Sequence, residues 1–474
     1  MSDYAESPSH SPRNRSPFAD AWRDLKELLA LSFPVIIAMA THTLMGFVDT
    51  AMLASYGPNE LAAVGASGVI AFTVIAFIFG TSNCTSTFVS QSMGRGELGE
   101  CARYTWQGVY FGLAAQLLVI PIALGGPLIF AAFGHEKALQ GLESQYFAIR
   151  MAHVAATAAY AALSSFFQGI GRPGLPMVAA IIANLFNAAL DYVLIFGVWG
   201  FPEMGIRGAA IATTVASYLQ VLILFGFFLH RAMHERFGTR SSWRLDLGRL
   251  RRLLWIGAPA GLNFMLDVAS WAVFTNLLIG KLGRNILAAN TATHSIMGLS
   301  FMPAVGLNKG VTVLVGQYIG RRNIPAAKRM AYLGIGVAMV FMVLMGLVFL
   351  VFREPLIAFF VRPGPKLSEA ARLEIIRTGS VMLLLAALFQ AFDAVGIVAT
   401  GALRGAGDTR FAAVVCVASA WGILLPLGYA LTFPAGLGYV GAWIAAAIHI
   451  AIVGLCLFWR FASEAWRKID IFAG

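Results

Sequence analysis

Twelve long apolar stretches dominate the sequence and set its fold class. They lie near residues 28–55, 62–92, 104–131, 145–170, 174–199, 207–230, 253–281, 287–318, 327–352, 376–402, 411–434 and 438–463. Because the hydrocarbon core of a bilayer is about 30 Å thick, roughly 20 apolar residues in helical form cross it. A membrane β-barrel would instead show short strands of alternating polarity. The sequence therefore predicts an all-α integral membrane protein with twelve transmembrane helices.

The composition leads to the same class and excludes others. Hydrophobic residues make up 58% of the chain and charged residues only 12%, whereas soluble proteins carry about 25% charged residues. A soluble enzyme and a nucleic-acid-binding module are excluded by this scarcity of charge, and no nucleic-acid partner is expected. The sequence contains no Walker A loop, HExxH motif or dinucleotide fingerprint in a credible context. We therefore expect neither an enzyme nor a bound cofactor.

The positive charges predict the orientation of the spans. The net charge is +11, and with the N-terminus inside, about twice as many Lys and Arg residues fall in the cytoplasmic segments as in the outer ones. Both termini are thus predicted to be cytoplasmic, in a multi-pass protein of the inner (plasma) membrane. Residues 1–24 begin Ser- and Pro-rich and lack an early apolar region, so we expect a disordered tail rather than a signal peptide.

An internal repeat divides the chain into two halves. GPNELAAV at 57–64 aligns with GRNILAAN at 283–290, and VSQSMGRGE at 89–97 aligns with VGQYIGRRN at 315–323, both at an offset of 226. Later the offset grows to 236, where FQGIGRP at 167–173 aligns with LRGAGDT at 403–409. Six helices per half keep the same orientation, so the halves are related by an axis along the membrane normal, with a cavity between them. The predicted units are an N-lobe at 25–230, a basic cytoplasmic linker at 231–252, a C-lobe at 253–463 and a cytoplasmic tail at 464–474.

Four carboxylates fall inside predicted spans, namely Asp49, Asp191, Asp267 and Asp393. A charge at mid-membrane costs about 2.5–3.5 kcal/mol on insertion scales, unless the group is protonated, paired or bound to a cation. Acids kept at such positions therefore indicate a functional site. The alternative is a structural Asp that caps a helix break or pairs with Lys309. The repeat does not copy these acids, and each lobe has its own pair. This favours a functional addition to a duplicated scaffold.

Polar neighbours extend both acid pairs into candidate sites. Asn184, Asn187 and Asp191 share one face of helix 5, and His42 shares a face of helix 1 with Asp49. In the C-lobe, Asn263, Asp267 and Trp271 form one stripe, while Gln390 and Asp393 belong to another. Carboxylate and amide oxygens suit Na⁺, and a carboxyl group shielded from water is also a plausible proton carrier. His42, Trp271, Gln390 and Lys309 are candidate cavity residues, and Lys309 could equally neutralise an acid.

Several segments resemble the multidrug and toxic compound extrusion (MATE) family. These segments are FVDTAMLASYG at 47–57, QSMGRGE at 91–97, FFQGIGRPGLP at 166–176, NAALDYVLIFG at 187–197, GAPAGLNFMLDVASW at 257–271, VGQYIGRRN at 315–323 and FDAVGIVATGALRGAGDTR at 392–410. The resemblance runs from about residue 25 to 465. It implies two six-helix bundles around a V-shaped cleft. It also implies export of organic cations or other amphipathic drugs in exchange for Na⁺ or H⁺.

The resemblance also assigns residues. Asp49, Asn187 and Asp191 match the N-lobe cation site of one branch of the family, and Thr213 in GAAIATT matches a threonine of that site. Asp267 and Asp393 match the C-lobe acid pair of the NorM-like branch, in which the helix 7 position is usually Glu. Because both sets are present, Na⁺ is possible at either pair. The sequence chooses neither the coupling ion nor the lobe.

The predicted function is therefore cation-coupled efflux by a monomer in contact with membrane lipids. A lipid-linked precursor flippase or another amphiphile exporter of the same broad superfamily is the alternative. A flippase would be expected to line its cavity with Arg and Lys for phosphate groups. Here one intramembrane Lys stands against four Asp, which favours cationic cargo.

Overall fold

The structure is a computed structural model that describes residues 17–132, 137–361 and 368–473. Every regular element in these ranges is helical, which confirms the predicted all-α class. The first half contains α1 (Pro17–Tyr56), α2 (Pro58–Asn83), α3 (Thr85–Arg95), α4 (Leu98–Leu124), α5 (Gly126–Ala132), α6 (Lys137–Met151), α7 (Val154–Gly169), α8 (Gly174–Phe196), α9 (Ile206–Phe228) and α10 (Arg231–Phe237). We call this part the N-lobe.

The second half, which we call the C-lobe, has fewer but longer helices. It contains α11 (Leu247–Val273), α12 (Arg284–Gly320), α13 (Ile324–Phe360), α14 (Glu369–Ala406), α15 (Thr409–Ser419), α16 (Leu425–Thr432) and α17 (Gly438–Ala462). The lobe also has two π-helical segments. Phe274–Ile279 continues α11, and Ala420–Leu424 joins α15 to α16. Short 3₁₀ turns at Gly280–Leu282 and Ala465–Lys468 complete the lobe.

Eleven continuous helical runs in the described ranges are long and apolar enough to cross a membrane. The remaining predicted span, the fourth at 145–170, is divided because the chain leaves helical geometry at Ala152 and His153. A break at membrane depth must have its backbone groups satisfied within the protein. Gln116 of α4 does this by accepting from the Ala155 N–H at 3.0 Å and donating to the Met151 carbonyl at 3.0 Å. The fourth span is therefore the broken pair α6 and α7.

Both predicted tails are partly structured. Residues 1–16 lie outside the described ranges, but α1 begins at Pro17, within the stretch 1–24 that we expected to be a tail. Asp24 is buried in this first part of α1 and pairs with Arg329 of the C-lobe at 2.5 Å. The stretch after α17 contains the buried side chains Trp466 and Ile471. Both stretches lie at one end of the bundle, which we call the terminal face.

The two lobes pack tightly near the terminal face through small residues. A Cβ on Gly94 would lie 3.0 Å from the Cα of Gly320, and one on Gly320 would lie 2.9 Å from the Cα of Gly94. Gly80 meets the Cα of Gly261 in the same manner. Toward the opposite end, Gly65 of α2 has no neighbouring atom within 4 Å of its Cβ position. The lobes therefore touch at the terminal face and diverge away from it.

Residues related by the internal repeat meet at this contact, which we call the seam. Gly94 and Gly320 differ by the offset of 226 that aligns the two halves. Gln91 donates to the Gly405 carbonyl at 2.9 Å, and its repeat counterpart Gln317 donates to the Gly169 carbonyl at 2.8 Å. Gly169 and Gly405 are themselves paired by the offset of 236. The pseudo-twofold axis predicted from the repeat thus passes through the seam.

Candidate functional site

The N-lobe acid pair forms where α1 and α8 pack against each other. The carboxyl groups of Asp49 on α1 and Asp191 on α8 lie close enough to interact electrostatically with each other. Asp191 and Asn187 are fully buried, and Asn184 is nearly so. Two carboxylates this close repel, and a proton or cation between them relieves the repulsion. The structure therefore brings together the two acids that the sequence placed in separate helices.

Other predicted N-lobe residues have local partners. The Thr213 hydroxyl on α9 is nearly buried and donates to the Ala209 carbonyl of its own helix at 2.9 Å. His42 packs edge-on against Tyr160, with ring centroids 6.3 Å apart. Both polar atoms of Asn187 are buried without a hydrogen-bond partner among the described residues. The Nδ2 of Asn184 is likewise buried without a partner among the described residues, so both amides have unused capacity for a ligand.

Sequence reasoning missed one charged member of this site, Arg150. It lies near the start of the predicted span 145–170 and was counted only with the positive charges of the outer segments, but on α6 it is within electrostatic range of both Asp49 and Asp191. Tyr146, one helical turn earlier on α6, is also close to both acids. The four-residue spacing of Tyr146 and Arg150 in an otherwise apolar region was the available signal. The N-lobe acids therefore have a cation from the protein itself.

The C-lobe acid pair faces a cavity of about 510 Å³ inside the lobe. Asp267 on α11 and Asp393 on α14 both line it and interact electrostatically. Its other lining residues are Asn263, Trp271, Thr275, His294, Met297, Gly298, Ser300, Phe301, Phe392, Gly396, Ile397, Thr400, Cys416, His449, Ile450 and Val453. No Lys or Arg is among these lining residues, all of which the structure describes. The two carboxyl groups of the cavity therefore have no Lys or Arg beside them in its wall, and His294 and His449 are its basic residues.

Aromatic rings and unused polar atoms complete the cavity wall. Trp271 packs edge-on against His294, with centroids 5.5 Å apart, and His294 contacts Trp443 at 5.6 Å. His294 Nε2 and Asn263 Oδ1 are buried without a hydrogen-bond partner among the described residues. Buried polar atoms normally have partners, so such atoms at a cavity wall are suited to a bound ligand. The aromatic rings beside two carboxylates suit an apolar cation.

The π-helical segments shape this cavity. Thr275, in the segment Phe274–Ile279, lines it directly. His449 is held by Ser419, which immediately precedes the segment Ala420–Leu424, through an Nδ1···Oγ contact of 2.8 Å. π-Helical turns are rare and are frequent at functional sites, because they displace side chains from the regular helical face. Both segments thus belong to the local geometry of the cavity.

A second, more apolar space separates the lobes. It measures about 540 Å³ and lies between α2 and the end of α11, with Val64, Val69 and Phe72 on one wall. Trp271 and Thr275 line both this cleft and the C-lobe cavity. The repeat predicted a cavity between the lobes, and this cleft lies there, whereas the C-lobe acids line a separate cavity inside their own lobe. Trp271 stands at the boundary between the cleft and the acids.

The remaining predicted cavity residues lie elsewhere. Gln390 is buried on α14 and donates to the Ser300 hydroxyl at 3.3 Å, behind the cavity wall. Lys309 lies at the seam and donates to the Asn83 amide oxygen at 2.8 Å. Its Nζ contacts an amide and not one of the four acids. Neither of the two roles considered for Lys309, cavity lining or neutralisation of an acid, matches this contact.

Comparison with known proteins places this architecture in a family. The MatE family model matches residues 34–193 and, separately, residues 259–430, which together exceed half of the chain. The chain belongs to the MatE family. The two matches fall one in each lobe, as expected for a duplicated MatE unit, and the resemblance noted in the sequence is confirmed.

Relatives within the MatE family match over nearly the full chain. A probable multidrug resistance protein NorM from Mesorhizobium japonicum is 32% identical over 93% of this chain and 94% of its own length. Multidrug resistance protein NorM from Burkholderia vietnamiensis is 28% identical over 96% of this chain and 97% of its own length. The similarity therefore includes both lobes.

Solved MATE structures show the same fold. A MATE in complex with MaL6 superposes with a TM-score of 0.84 at 20% identity, covering 96% of this chain and 100% of that chain. The eukaryotic MATE transporter AtDTX14 superposes with a TM-score of 0.81 at 18% identity, covering 94% and 97%. At these identities the comparison establishes the MATE fold of this MatE chain.

Proposed function

We propose that this MatE protein is a secondary active multidrug exporter that exchanges organic cations for Na⁺ or H⁺. The observation that carries the proposal is the C-lobe cavity, whose lining contains the carboxyl groups of Asp267 and Asp393 and no Lys or Arg. The NorM relatives, named as multidrug resistance proteins, support the substrate class. We propose a monomer in the plasma membrane, with the terminal face toward the cytoplasm as the positive charges predict.

The difference between the two acid pairs assigns them separate roles in this proposal. Arg150 compensates part of the negative charge of Asp49 and Asp191, so an added cation gains less there than beside Asp267 and Asp393. An electrostatic site in a low-dielectric interior depends strongly on its uncompensated charge. We therefore assign cation binding first to the C-lobe cavity. The N-lobe pair then has an accessory role in coupling.

Exchange requires that the two ligands favour different conformations. A ligand shifts an equilibrium only by its difference in affinity for the two states. A coupling cation that binds the acids in one state and weakens drug binding there drives export, with a coupling free energy of about 1–3 kcal/mol in typical cases. Asp267 and Asp393 are shared between cation and drug in this scheme, because both lie in one cavity.

Ethidium transport in proteoliposomes tests the proposal. We expect Asp267→Asn and Asp393→Asn each to weaken ethidium binding by about 10- to 150-fold, since a charged interaction is worth about 1.5–3 kcal/mol. Asp20→Asn, on the exposed first turn of α1, is the matched control. Separate Na⁺ and pH gradients identify the coupling ion. If Asp267→Asn and Asp393→Asn both exchange ethidium at the rate of the Asp20→Asn control, the assignment of cation binding to the C-lobe cavity is refuted.

The flippase alternative makes a different demand on the same cavity. A lipid-linked substrate carries phosphates, which proteins bind with Arg or Lys, and no residue of either kind lines the C-lobe cavity. Translocation of a fluorescent polyprenyl diphosphate by the reconstituted protein, in the absence of ethidium exchange, would favour the flippase instead.

A further inference from the structure

The segment after α17 crosses from one lobe to the other, and we call residues 469–473 the strap. The preceding 3₁₀ turn, Ala465–Lys468, fastens the strap to the C-lobe. Trp466 is buried there and stacks on Phe461, with ring centroids 5.3 Å apart and planes 10° apart. Its indole N–H donates to the Phe461 carbonyl at 2.9 Å. The base of the strap therefore moves with the C-lobe.

The far end of the strap is bound to the N-lobe. The Phe472 ring lies edge-on to Phe88 and to Tyr104, with centroids 5.9 Å apart in both cases. The Arg95 guanidinium lies 3.9 Å from the Phe472 ring centroid and 3.4 Å from the Asp470 carboxylate. An aromatic cluster, a cation–π contact and an ion pair thus hold the strap to α3 and α4.

Between these two anchors, Ile471 fills the seam. It is buried in a cluster that joins Cys84 of the N-lobe to Leu253 and Ile256 of α11 in the C-lobe. Its Cγ2 occupies the space where a Cβ on Gly407 would lie, and Gly407 has a φ of +89°. Only glycine meets both conditions at that position. The loop at the end of α14 is therefore shaped to admit the strap.

Further interlobe pairs lie at the same end of the bundle. Arg249 of α11 binds both carboxylate oxygens of Glu100 on α4 at 2.8 Å, and Asp24 binds Arg329. These pairs join helix to helix, whereas the strap is a short peptide with contacts on both lobes. When one lobe rocks against the other, the strap must leave Phe88 and Tyr104 or prevent the motion.

We propose that the strap is a latch that holds the lobes closed at the terminal face and must be released before the cleft can open there. The latch residues are Asp470, Ile471 and Phe472, and their receptor on the N-lobe is Phe88, Arg95 and Tyr104. Its release is a step of the conformational cycle that acts without contact to substrate or coupling ion. The inference rests on the proposed exchange only for its transport readout.

The native thiol of Cys84 reports release directly, because it is fully buried beside Ile471. In a background with Cys101, Cys416 and Cys456 replaced by Ser, we measure the rate of N-ethylmaleimide labelling in detergent. Phe472→Ala is expected to label about tenfold faster, since aromatic contacts of this kind are worth on the order of a decade in an equilibrium constant.

Two further variants make the labelling result decisive. Asp470→Asn keeps the apolar contacts, so it tests the latch even if Phe472→Ala fails to fold, and it is expected to label severalfold faster. Lys468→Ala removes an exposed side chain next to the strap and is expected to label at the parent rate. Labelling of Asp470→Asn and Phe472→Ala at the parent rate would overturn the proposal, whatever the protein transports.

Cross-linking tests the same step during transport. With the four native cysteines replaced, Phe88→Cys/Phe472→Cys is joined by a short bismaleimide. We expect ethidium exchange to fall at least tenfold on cross-linking. The control pair Lys328→Cys/Glu464→Cys replaces an ion pair within the C-lobe and should retain exchange when cross-linked. Full exchange with the strap cross-linked would refute the latch, whereas no exchange in the untreated parent would count against the proposed function alone.

Discussion

A single methyl group at the axis tests whether the seam geometry controls the lobes. In Gly94→Ala the new Cβ would lie 2.1 Å from the carbonyl oxygen of Gln317, 2.9 Å from its carbonyl carbon and 3.0 Å from the Cα of Gly320. These are backbone atoms and cannot rotate away. Since ordinary contacts begin at 3.4 Å, the two helices must separate by about 1 Å to relieve the contact with the Gln317 oxygen. Overpacking of this kind costs about 1–3 kcal/mol.

The cost falls only on the conformation in which the seam is closed. We therefore expect Gly94→Ala to shift the ratio of closed to open seams by about 5- to 150-fold toward open. Gly320→Ala, its repeat counterpart, should shift the ratio by a similar amount. The double variant should cost less than the sum, because one separation of the helices relieves both clashes.

Spin-label distances give the measurement. Nitroxides at Arg172 and Arg322, exposed on the terminal faces of the two lobes, report the opening of the seam through double electron–electron resonance. Gly99→Ala is the control, because its Cβ would have no neighbour within 4 Å. If Gly94→Ala and Gly320→Ala give the distance distribution of Gly99→Ala, the close approach does not limit the lobes and the reasoning fails.

Three other substitutions test separate parts of the structure. Gln116→Ala leaves the two backbone groups at the break in the fourth span without a hydrogen bond, which costs about 1–3 kcal/mol for each group, so the thermal half-life in nanodiscs should shorten. An unchanged half-life would mean that these backbone groups have other hydrogen-bond partners. Arg249→Ala leaves Glu100 without its bidentate partner, so the ratio of open to closed seams should rise about 10- to 150-fold in the same distance measurement. The same distance distribution in the variant and the parent protein would contradict this expectation. The backbone N–H of Phe472 donates to the Asp470 carboxylate and lowers its pKa, so the stabilisation of the strap by this carboxylate is complete above pH 3.8, its ordinary pKa, and is lost as the pH falls further. Acid titration of seam opening should show this loss in the parent protein and not in Asp470→Asn.

The repeat and the helical class could be predicted from the sequence because both are patterns along the chain. Apolar length predicted the spans, and the matched segments around Gln91 and Gln317 predicted the axis. The reciprocal hydrogen bonds to Gly405 and Gly169 follow from the same symmetry. The internal repeat shows which residues of the two halves correspond to each other, and in this chain the corresponding residues meet at the pseudo-twofold axis.

The details of the sites depend on features that no window of sequence contains. The fourth span reads as continuously apolar, and its break becomes tolerable only because Gln116 arrives from another helix. Arg150 lies near the start of the predicted span 145–170 and was counted with the outer charges, because hydropathy places span ends only to within several residues. The sequence assigned Asp267 and Asp393 to the C-lobe, but that both face one cavity inside this lobe depends on how α11 and α14 pack together. Their position inside one lobe is a tertiary property.

The contact between Lys309 and Asn83 has a consequence for the history of the chain. The two residues are repeat counterparts, 226 positions apart, and they touch each other. In a dimer of two identical six-helix units, the residue at this position would face its own copy. Lysine there would place two ammonium groups together, whereas asparagine could pair with itself. Joining the units into one polypeptide released the position from self-complementarity, so that an unlike pair could occupy the centre of an otherwise symmetric contact.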